Sequence, residues 1–306
     1  MTRQSFAQQS YESHAAHFEQ FGIAGEKGDL AATWREDHSV DSWRHTRMYQ
    51  TIDPVLTADP QATWLTVGDG RFGRDARYIL QKGVDALPTD IAETLLAQAV
   101  QSGYIQRYQI ENAEALSFES NTFDYVFCKE SYHHFPRPMI ALYEMIRVAK
   151  KAVILLEPND QIATDRPGAA VVSWIKRVCR KVLGRPEVRN QFEVSGNYLF
   201  TLSRREIEKV ALGMGCPVVA FKGINDEYVD GCEFEPLEDR GPKYQQISKK
   251  IRRRDRWCRL HLLDELLLTA MIFKVIPDET VVRALKSDGY EVVFLPQNPY
   301  LAHDPS

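Results

Sequence analysis

The sequence predicts an α/β fold built on a doubly wound, mostly parallel sheet of seven strands. Between residues 63 and 158, five short apolar stretches alternate with segments of helical length and amphipathic pattern. Two further apolar stretches follow near residues 220 and 293. Strands that alternate with helices in this way form parallel sheets with helices on both faces.

The first part of the chain is predicted to be helical. Residues 5–21 carry apolar and aromatic side chains at helical spacing, and a second helical stretch covers 42–57. Apolar alternation begins only after this point. We therefore expect a helical cap at 1–57 and a catalytic or binding domain at 58–306.

The elements of the sheet follow in order, each bounded by turn residues. The expected strands are 63–69, 84–90, 104–110, 124–130, 152–158, 217–224 and 289–297. The expected helices are 73–83, 91–103, 139–151 and 203–215. A Ser or Thr cap begins the last of these helices.

Two interruptions break this rhythm, at 159–199 and 231–288. The first leaves the sheet at its carboxyl edge, where ligands of such sheets bind, so we expect these helical insertions to form a substrate cover. Within the second, the stretch 262–276 is apolar but carries two acids and a lysine, and we expect a buried helix there. No apolar run is long enough to span a bilayer.

Composition limits the class of protein. The chain has 306 residues, 44% of them hydrophobic, with a net charge of −4 and a pI near 6.1, which argues against nucleic acid as the main partner. Its five cysteines are widely spaced without a CxxC pair, so we expect no disulfide framework and no bound metal. The N-terminus has no signal-peptide core, and a cytoplasmic location is expected. The oligomeric state is not predicted.

The segment VGDGRFGRD, residues 67–75, holds the first candidate site. Its glycines form a GxGxxG after a strand, and an acid, Asp90, follows about 20 positions later. Such glycines let the backbone approach a ligand, and an acid at the end of the next strand accepts hydrogen bonds from ribose hydroxyls. The pattern is typical of dinucleotide sites and also of methyl-donor sites, which lack a pyrophosphate.

The segment ENAEALSFESNTFDYVFCKESYHHFPRP, residues 111–138, favours the methyl donor. It resembles the class I S-adenosylmethionine-dependent methyltransferases, particularly the branch that includes the quinone C-methyltransferases. In that family an amide or acidic residue precedes a small-acid-small-Leu-x-Phe pattern, a Phe-Asp pair opens the fourth strand, and His-His often ends it. The resemblance extends from about Trp64 to Pro158, in the right order and spacing.

The resemblance implies a Rossmann-like sheet whose last two strands pair antiparallel, S-adenosylmethionine as cofactor, and a set of site residues. The glycine loop would lie under the methionine part of the donor, Asp90 would bind the ribose, and Ile91 would pack on the adenine. The implied donor-binding residues are Gly68, Asp69, Gly70, Gly73, Asp90, Ile91, Asn112, Ala113, Glu114, Lys129 (through its backbone) and Tyr11. The sequence departs from the family at Thr66, where an acid is usual, and Asp69 is expected to substitute for it.

Two histidines, His133 and His134, are the candidate catalytic residues. A histidine at the carboxyl end of a strand can deprotonate an acceptor hydroxyl, or it can simply pack in the turn before Pro136. Tyr11 lies on a helix that either closes over the donor or covers a sheet edge. The HxxH formed by His14 and His17 has no third ligand and is a poor metal site.

Two basic runs, 176–189 and 249–259, have two interpretations. They either recognise an acidic or phosphorylated acceptor, such as a nucleotide sugar, a lipid-linked glycan or nucleic acid, or they are solvated helix faces.

Taken together, these patterns predict methyl transfer from S-adenosylmethionine to a small-molecule or sugar acceptor at a hydroxyl. Three alternatives stay open: an NAD-type oxidoreductase, a nucleic-acid methyltransferase and a non-catalytic donor-binding protein. The segment 111–136 counts against the first. HHFP, where a nucleic-acid methyltransferase would carry an NPPY-like tetrapeptide, counts against the second.

Overall fold

A mixed sheet runs through the computed structural model, which describes residues 6–23, 25–185, 191–192 and 197–300. Within these residues the sheet has eight strands in the order β3-β2-β1-β4-β5-β7-β6-β8. Their bounds are β1 Thr63–Val67, β2 Asp85–Asp90, β3 Gln109–Ile110, β4 Phe123–Lys129, β5 Ala149–Pro158, β6 Val218–Ile224, β7 Leu267–Phe273 and β8 Glu291–Phe294. The α/β class and the predominantly parallel sheet are confirmed.

The strand count differs from the predicted seven because of β7. This strand pairs antiparallel with β5 on one side and with β6 on the other, and every one of its residues is buried. A central strand buried on both faces has no alternation of apolar and polar residues, so periodicity cannot distinguish it from a buried helix. The predicted helix at 262–276 is therefore wrong, and the second interruption is shorter than 231–288.

Helices precede β1 and connect most of the strands that follow. Their bounds are α1 Phe6–Glu19, α2 Glu26–Thr33, α3 Val40–Tyr49, α4 Asp53–Ala58, α5 Arg74–Gln81, α6 Thr94–Gln101, α7 Pro138–Val148, α8 Pro167–Val182, α9 Arg204–Gly213, α10 Pro242–Arg259 and α11 Glu279–Ser287. Ser203 caps α9 as expected, its Oγ accepting the amide of Glu206 at 3.2 Å.

The core lies on both faces of the sheet, as a doubly wound fold requires. Leu65 of β1 packs in a cluster with Leu142 of α7, whereas its neighbour Trp64 packs on the other face with Met48 of α3. Because α3 also belongs to this core, the N-terminal helices are continuous with the sheet on that face.

Two helices occupy the interruptions, α8 in the first and α10 in the second. Part of the first insertion, and residues 186–189 of the first basic run, lie outside the described residues. Within the part of the chain that the structure describes, no helix combines the length and apolar character needed to cross a bilayer.

Candidate functional site

The glycine loop joins β1 to α5 and passes close to two other elements. Gly68 has a φ of 74°, and a Cβ there would lie 2.4 Å from the Cβ of Ser131. A Cβ on Gly70 would lie 2.8 Å from Oδ2 of Asp90. Both positions therefore require glycine, and the loop backbone forms one wall of a cavity.

Asp69, also in this loop, caps the N-terminus of α5. Its Oδ1 accepts the amide of Asp75 at 3.0 Å, and its Oδ2 accepts the amide of Ala76 at 2.9 Å and the hydroxyl of Thr66 at 2.8 Å. The first turn of α5 thus already holds a carboxylate at the place where a helix otherwise binds an anion. Burial, together with the nearby Asp75, raises the pKa of Asp69 well above its usual value.

Asp90 ends β2 and lines the cavity beside Gly70. Its Oδ1 accepts the amide of Ala92 at 2.8 Å, and only 7% of the residue is exposed. Burial raises its pKa to about 6, although amides of the loop and of the following turn hydrogen-bond to the carboxylate. At neutral pH this carboxylate is ionised and can accept hydrogen bonds at the carboxyl edge of the sheet.

The turn after β3 forms the opposite wall. Oδ1 of Asn112 accepts the amide of Glu114 at 2.9 Å, which tightens the turn, and Ala113 is buried between them. Glu111, which sequence reasoning did not select, is held by the amide of Ser117 at 2.8 Å and also lines the cavity.

Helix α1 closes the cavity from above through two sets of bonds. The hydroxyl of Tyr11 lies 2.5 Å from Oε2 of Glu114, and Nε of Arg137 lies 2.6 Å from the same oxygen. Burial and the bond to Glu114 raise the pKa of Tyr11. Ser10, one residue earlier, hydrogen-bonds to Oδ1 of the buried Asn197. Of the two interpretations of Tyr11, its place in the cavity wall favours the one in which α1 lies over the site.

Asn197 connects α1 to the turn after β4. Its Nδ2 donates to the carbonyl of His134 at 2.8 Å. It comes from the insertion after β5, far from Ser10 and His134 in sequence, and no pattern around it indicated a role. Asn197 of this insertion thus lies beside the turn that follows β4 and lines the cavity.

The end of β4 carries a buried cluster of charges. Nζ of Lys129 lies 3.5 Å from Asp75, 3.5 Å from Glu130 and 3.4 Å from Nδ1 of His45. Burial and the charge of Lys129 lower the pKa of His45 well below its usual value. Although burial acts to raise it, Lys129 and Arg71 hold the pKa of Glu130 below its usual value. Lys129 thus brings positive charge to the cavity floor.

The rings of the two candidate catalytic histidines are in contact, with centroids 3.9 Å apart, but they have different neighbours. Nδ1 of His133 lies 2.6 Å from Oε2 of the fully buried Glu157, and His133 is not part of the cavity lining. His134 lines the cavity, with its ring 5.9 Å from that of His14 on α1. Of the two, His134 has the position required of a base.

These walls border a cavity of about 100 Å³. Most of the residues expected at the site border it: Tyr11, Gly68, Asp69, Gly70, Asp90, Ile91, Asn112, Ala113, Glu114, Lys129 and His134. Gly73 does not border it but serves as the left-handed residue before α5, with a φ of 68°. The sequence patterns from three strand ends thus converge on one cavity.

A comparison with models of protein families gives one match, described as a methyltransferase domain, over residues 65–156. This segment begins in β1 and ends in β5, and it contains the glycine loop, Asp90 and both histidines. Residues 65–156 thus match a methyltransferase domain. The match covers just under a third of the chain and names no branch of the family, so the resemblance to quinone C-methyltransferases stays a prediction.

The match agrees with the predicted methyltransferase, and the order of strands and helices agrees with the predicted Rossmann-like sheet. No curated protein sequence matches the chain. The donor expected for this methyltransferase domain is S-adenosylmethionine, and the cavity described above lies at the carboxyl ends of β1, β2, β3 and β4.

Solved structures that resemble the chain do so at low identity. The magnesium protoporphyrin IX methyltransferase of Synechocystis PCC 6803, solved with bound SAH, is 14% identical, with a TM-score of 0.44, covering 73% of this chain and 92% of that chain. A SAM-dependent methyltransferase of Methanosarcina mazei is 13% identical, with a TM-score of 0.43, covering 71% and 94%. A chain from the complex of the Haloferax volcanii Trm112 methyltransferase activator is 14% identical, with a TM-score of 0.45, covering 89% and 100%. These values carry no information on the acceptor or partners of this methyltransferase domain.

One group of potential metal ligands lies beside the methyltransferase domain. Within the described residues, Asp41, Cys232 and Glu233 place ligand atoms within 4.8 Å of one another. The guanidinium of Arg44, 2.7 Å from Asp41, already balances the charge of that carboxylate. The group gives no reason to revise the expectation of metal-free chemistry.

Proposed function

We propose that the chain transfers a methyl group from S-adenosylmethionine to a hydroxyl of a small-molecule or sugar acceptor. The observation that carries the proposal is the single cavity that brings together the glycine loop, Asp90, the turn at 111–114 and His134. A donor site and a candidate base thus share one space.

The residues of the cavity fit this donor. Asp90 offers a buried carboxylate to the ribose hydroxyls, and Gly70 leaves its backbone open beside it because no Cβ fits there. Ile91, Asn112 and Ala113 would hold the adenine. Once bound, S-adenosylmethionine supplies a methyl group activated by a positively charged sulfur.

The contribution of the protein is then orientation and proton removal. Holding the acceptor hydroxyl in line with the methyl group is worth on the order of 7–11 kcal/mol in favourable cases. The imidazole of His134 would take the hydroxyl proton as the oxygen reacts, which adds roughly 100- to 10,000-fold. His133, bound to Glu157, would position the turn that carries His134.

The capped α5 helix argues against the oxidoreductase alternative. A nicotinamide dinucleotide requires a pyrophosphate at the amides of this helix N-terminus. The side-chain oxygens of Asp69 accept those amides here, so the amides are not available to a pyrophosphate. A donor without phosphate avoids this conflict.

Residues 1–57 act in this proposal as a helical cap, and the insertion at 159–199 forms part of the substrate cover. The contacts of Tyr11 with Glu114 and of Ser10 with Asn197 support both roles. The acceptor would enter beside His134, where these segments meet. The screen described next would identify the acceptor and show whether it carries an acidic or phosphorylated group.

Calorimetric titration with S-adenosylhomocysteine, and with NADH in parallel, tests the proposal. We expect micromolar binding of the former and none of the latter, with affinity at least about tenfold weaker in Asp90→Ala because a charge-assisted hydrogen bond is lost. Release of S-adenosylhomocysteine in a screen of phenols, sugars and sugar nucleotides would then identify the acceptor. Binding of NADH alone would refute methyl transfer. Donor binding without turnover on any hydroxyl acceptor would refute the acceptor class.

A further inference from the structure

Helix α8 exposes a continuous apolar stripe. Five of its residues share one side of the helix at 3.6 residues per turn, and all are exposed: Val171 (57%), Trp174 (60%), Ile175 (48%), Val178 (42%) and Val182 (80%). Exposed apolar residues scattered singly are ordinary, but a contiguous stripe is typical of an interaction surface.

The charges of α8 are all of one sign. The helix carries Lys176, Arg177, Arg180 and Lys181 and no acidic residue, in a chain whose net charge is −4. At helical spacing these four lie on the side opposite the stripe and along its flanks. The helix is thus apolar on one side and basic on the other. Neither interpretation of the first basic run took the apolar side into account.

Only the N-terminal part of α8 packs against the rest of the protein. Ala169 is buried, and Gly168 packs so closely on the chain after α10 that a Cβ would lie 2.5 Å from the carbonyl oxygen of His261. From Trp174 onward every residue of the helix is exposed. The stripe is therefore presented outward on a helix of about 24 Å that is anchored at one end.

We infer that α8 binds flat on the surface of an anionic phospholipid bilayer. The stripe would enter the boundary between headgroups and acyl chains, where Trp and aliphatic residues are favoured, while the lysine and arginine stems extend to the lipid phosphates. The positive charge of the helix and the negative charge of such lipids attract each other. A second copy of the chain, in contrast, would bring two sets of four positive charges together.

The second basic run adds positive charge near the start of α8. Arg166, just before α8, donates to the carbonyl of Cys258, within this run, at 3.5 Å. Trp257 and Leu260, at the end of α10, are 46% and 63% exposed. The inference does not depend on the proposed function, because it concerns a surface outside the donor cavity.

Co-sedimentation of the full chain with large unilamellar vesicles tests the inference. One vesicle contains phosphatidylcholine and phosphatidylglycerol in roughly a 3:2 ratio, and the other contains phosphatidylcholine alone. We expect binding to the anionic vesicles at least about tenfold stronger than to the neutral ones, and weaker at about 0.5 M salt, where the charges are screened.

Matched variants separate the stripe from the charges. Trp174→Glu with Val178→Glu should lower anionic-vesicle binding at least about tenfold, and so should Lys176→Glu with Lys181→Glu. The controls are Ile276→Glu, an exposed apolar residue after β7, and Lys286→Glu with Arg283→Glu on α11. Both controls should bind as the unchanged chain does. Circular dichroism and thermal unfolding would verify that every variant is folded.

Three results would overturn the inference. The first is no binding to anionic vesicles. The second is binding that the charge reversals abolish but the stripe variants leave intact, since this means electrostatic adsorption without insertion. The third is self-association, or RNA binding, that the stripe variants remove in the absence of vesicle binding.

Discussion

Nδ1 of His133 lies 2.6 Å from Oε2 of Glu157, a carboxylate with no exposed surface. The other oxygen of Glu157 accepts the amides of Ser131 and Tyr132, both at 3.0 Å. One buried acid at the end of β5 therefore fixes the whole turn that follows β4. It binds His133 beside the cavity lining, with the His133 ring 3.9 Å from the ring of His134, which does border the cavity.

The two histidines should consequently respond differently to substitution. His134→Ala should lower kcat by about 100- to 10,000-fold with little change in donor affinity, because a base acts only in the chemical step. His133→Ala should mainly lower the free energy of unfolding, by about 1.5–3 kcal/mol, because it removes a hydrogen bond to a buried carboxylate. Turnover of the acceptor found in the screen, calorimetry and denaturant unfolding measure these effects.

The exposed His38 provides the control, since His38→Ala should change none of the three quantities. A drop in kcat of the same size in His133→Ala and His134→Ala, at equal stability, would contradict the assignment of the base to His134.

Donor affinity should depend on pH through Asp90. Its pKa is raised by burial to about 6, and the ionised carboxylate is the better acceptor for ribose hydroxyls. Protonation below pH 6 therefore weakens binding, and we expect the affinity for S-adenosylhomocysteine to be about tenfold lower at pH 5 than at pH 7. Titrations across this range measure it. In Asp90→Asn the affinity should be low and should not change between pH 5 and pH 7. The same pH dependence in that variant would assign the titration to another group.

Gly70 should not tolerate a side chain. In Gly70→Ala the new Cβ would lie 2.8 Å from Oδ2 of Asp90, so the carboxylate must move, and donor affinity should fall about tenfold or more. Gly213, at the end of α9, is a matched control because nothing lies within 4 Å of a Cβ there. Calorimetry on both variants should find loss only at Gly70. Equal affinities would mean that the loop and Asp90 adapt together.

The hydroxyl of Tyr11 should slow the departure of bound ligand. Tyr11→Phe removes its bond to Glu114 and loosens α1, so S-adenosylhomocysteine should dissociate about 2- to 12-fold faster, the equivalent of one hydrogen bond of 0.5–1.5 kcal/mol. Stopped-flow displacement measures the rate. Gln9→Ala, an exposed change on the same helix, should leave it unaltered. An unchanged rate in Tyr11→Phe would show that α1 does not limit release.

The sequence patterns led to the site because its residues follow strand ends. Gly68, Asp90 and Asn112 come after apolar stretches whose parallel pairing places their ends at one edge, so order along the chain sufficed to bring them together. The same reasoning gave the approximate positions of the strands except β7, whose complete burial removed the alternation that periodicity detects, although β3 contains only the last two residues of the strand predicted at 104–110.

Other features depend on side-chain direction or on contacts across long sequence separations. Asp69 was expected at the donor. It borders the cavity, but its side-chain oxygens accept the amides of α5, because the local turn directs the side chain toward that helix. His133 and His134 are adjacent in sequence, and only the position of Glu157 separates their roles. Asn197 reaches Ser10 across 187 positions, and a single sequence has no local signal for such a contact.

The charged cluster at the end of β4 has a consequence for how the molecule can be divided. Arg44 of α3 forms ion pairs with Asp41 and with Asp226, which follows β6, and His45 approaches Glu130 to 3.8 Å. Cutting the chain at residue 57 would remove Arg44 and Arg47 and leave the buried Asp226 without its ion-pair partners, at a cost of several kcal/mol. Helix α1 could be exchanged for the equivalent helix of a relative in a chimeric protein. Helix α3, in contrast, must be kept together with the sheet that it pairs with.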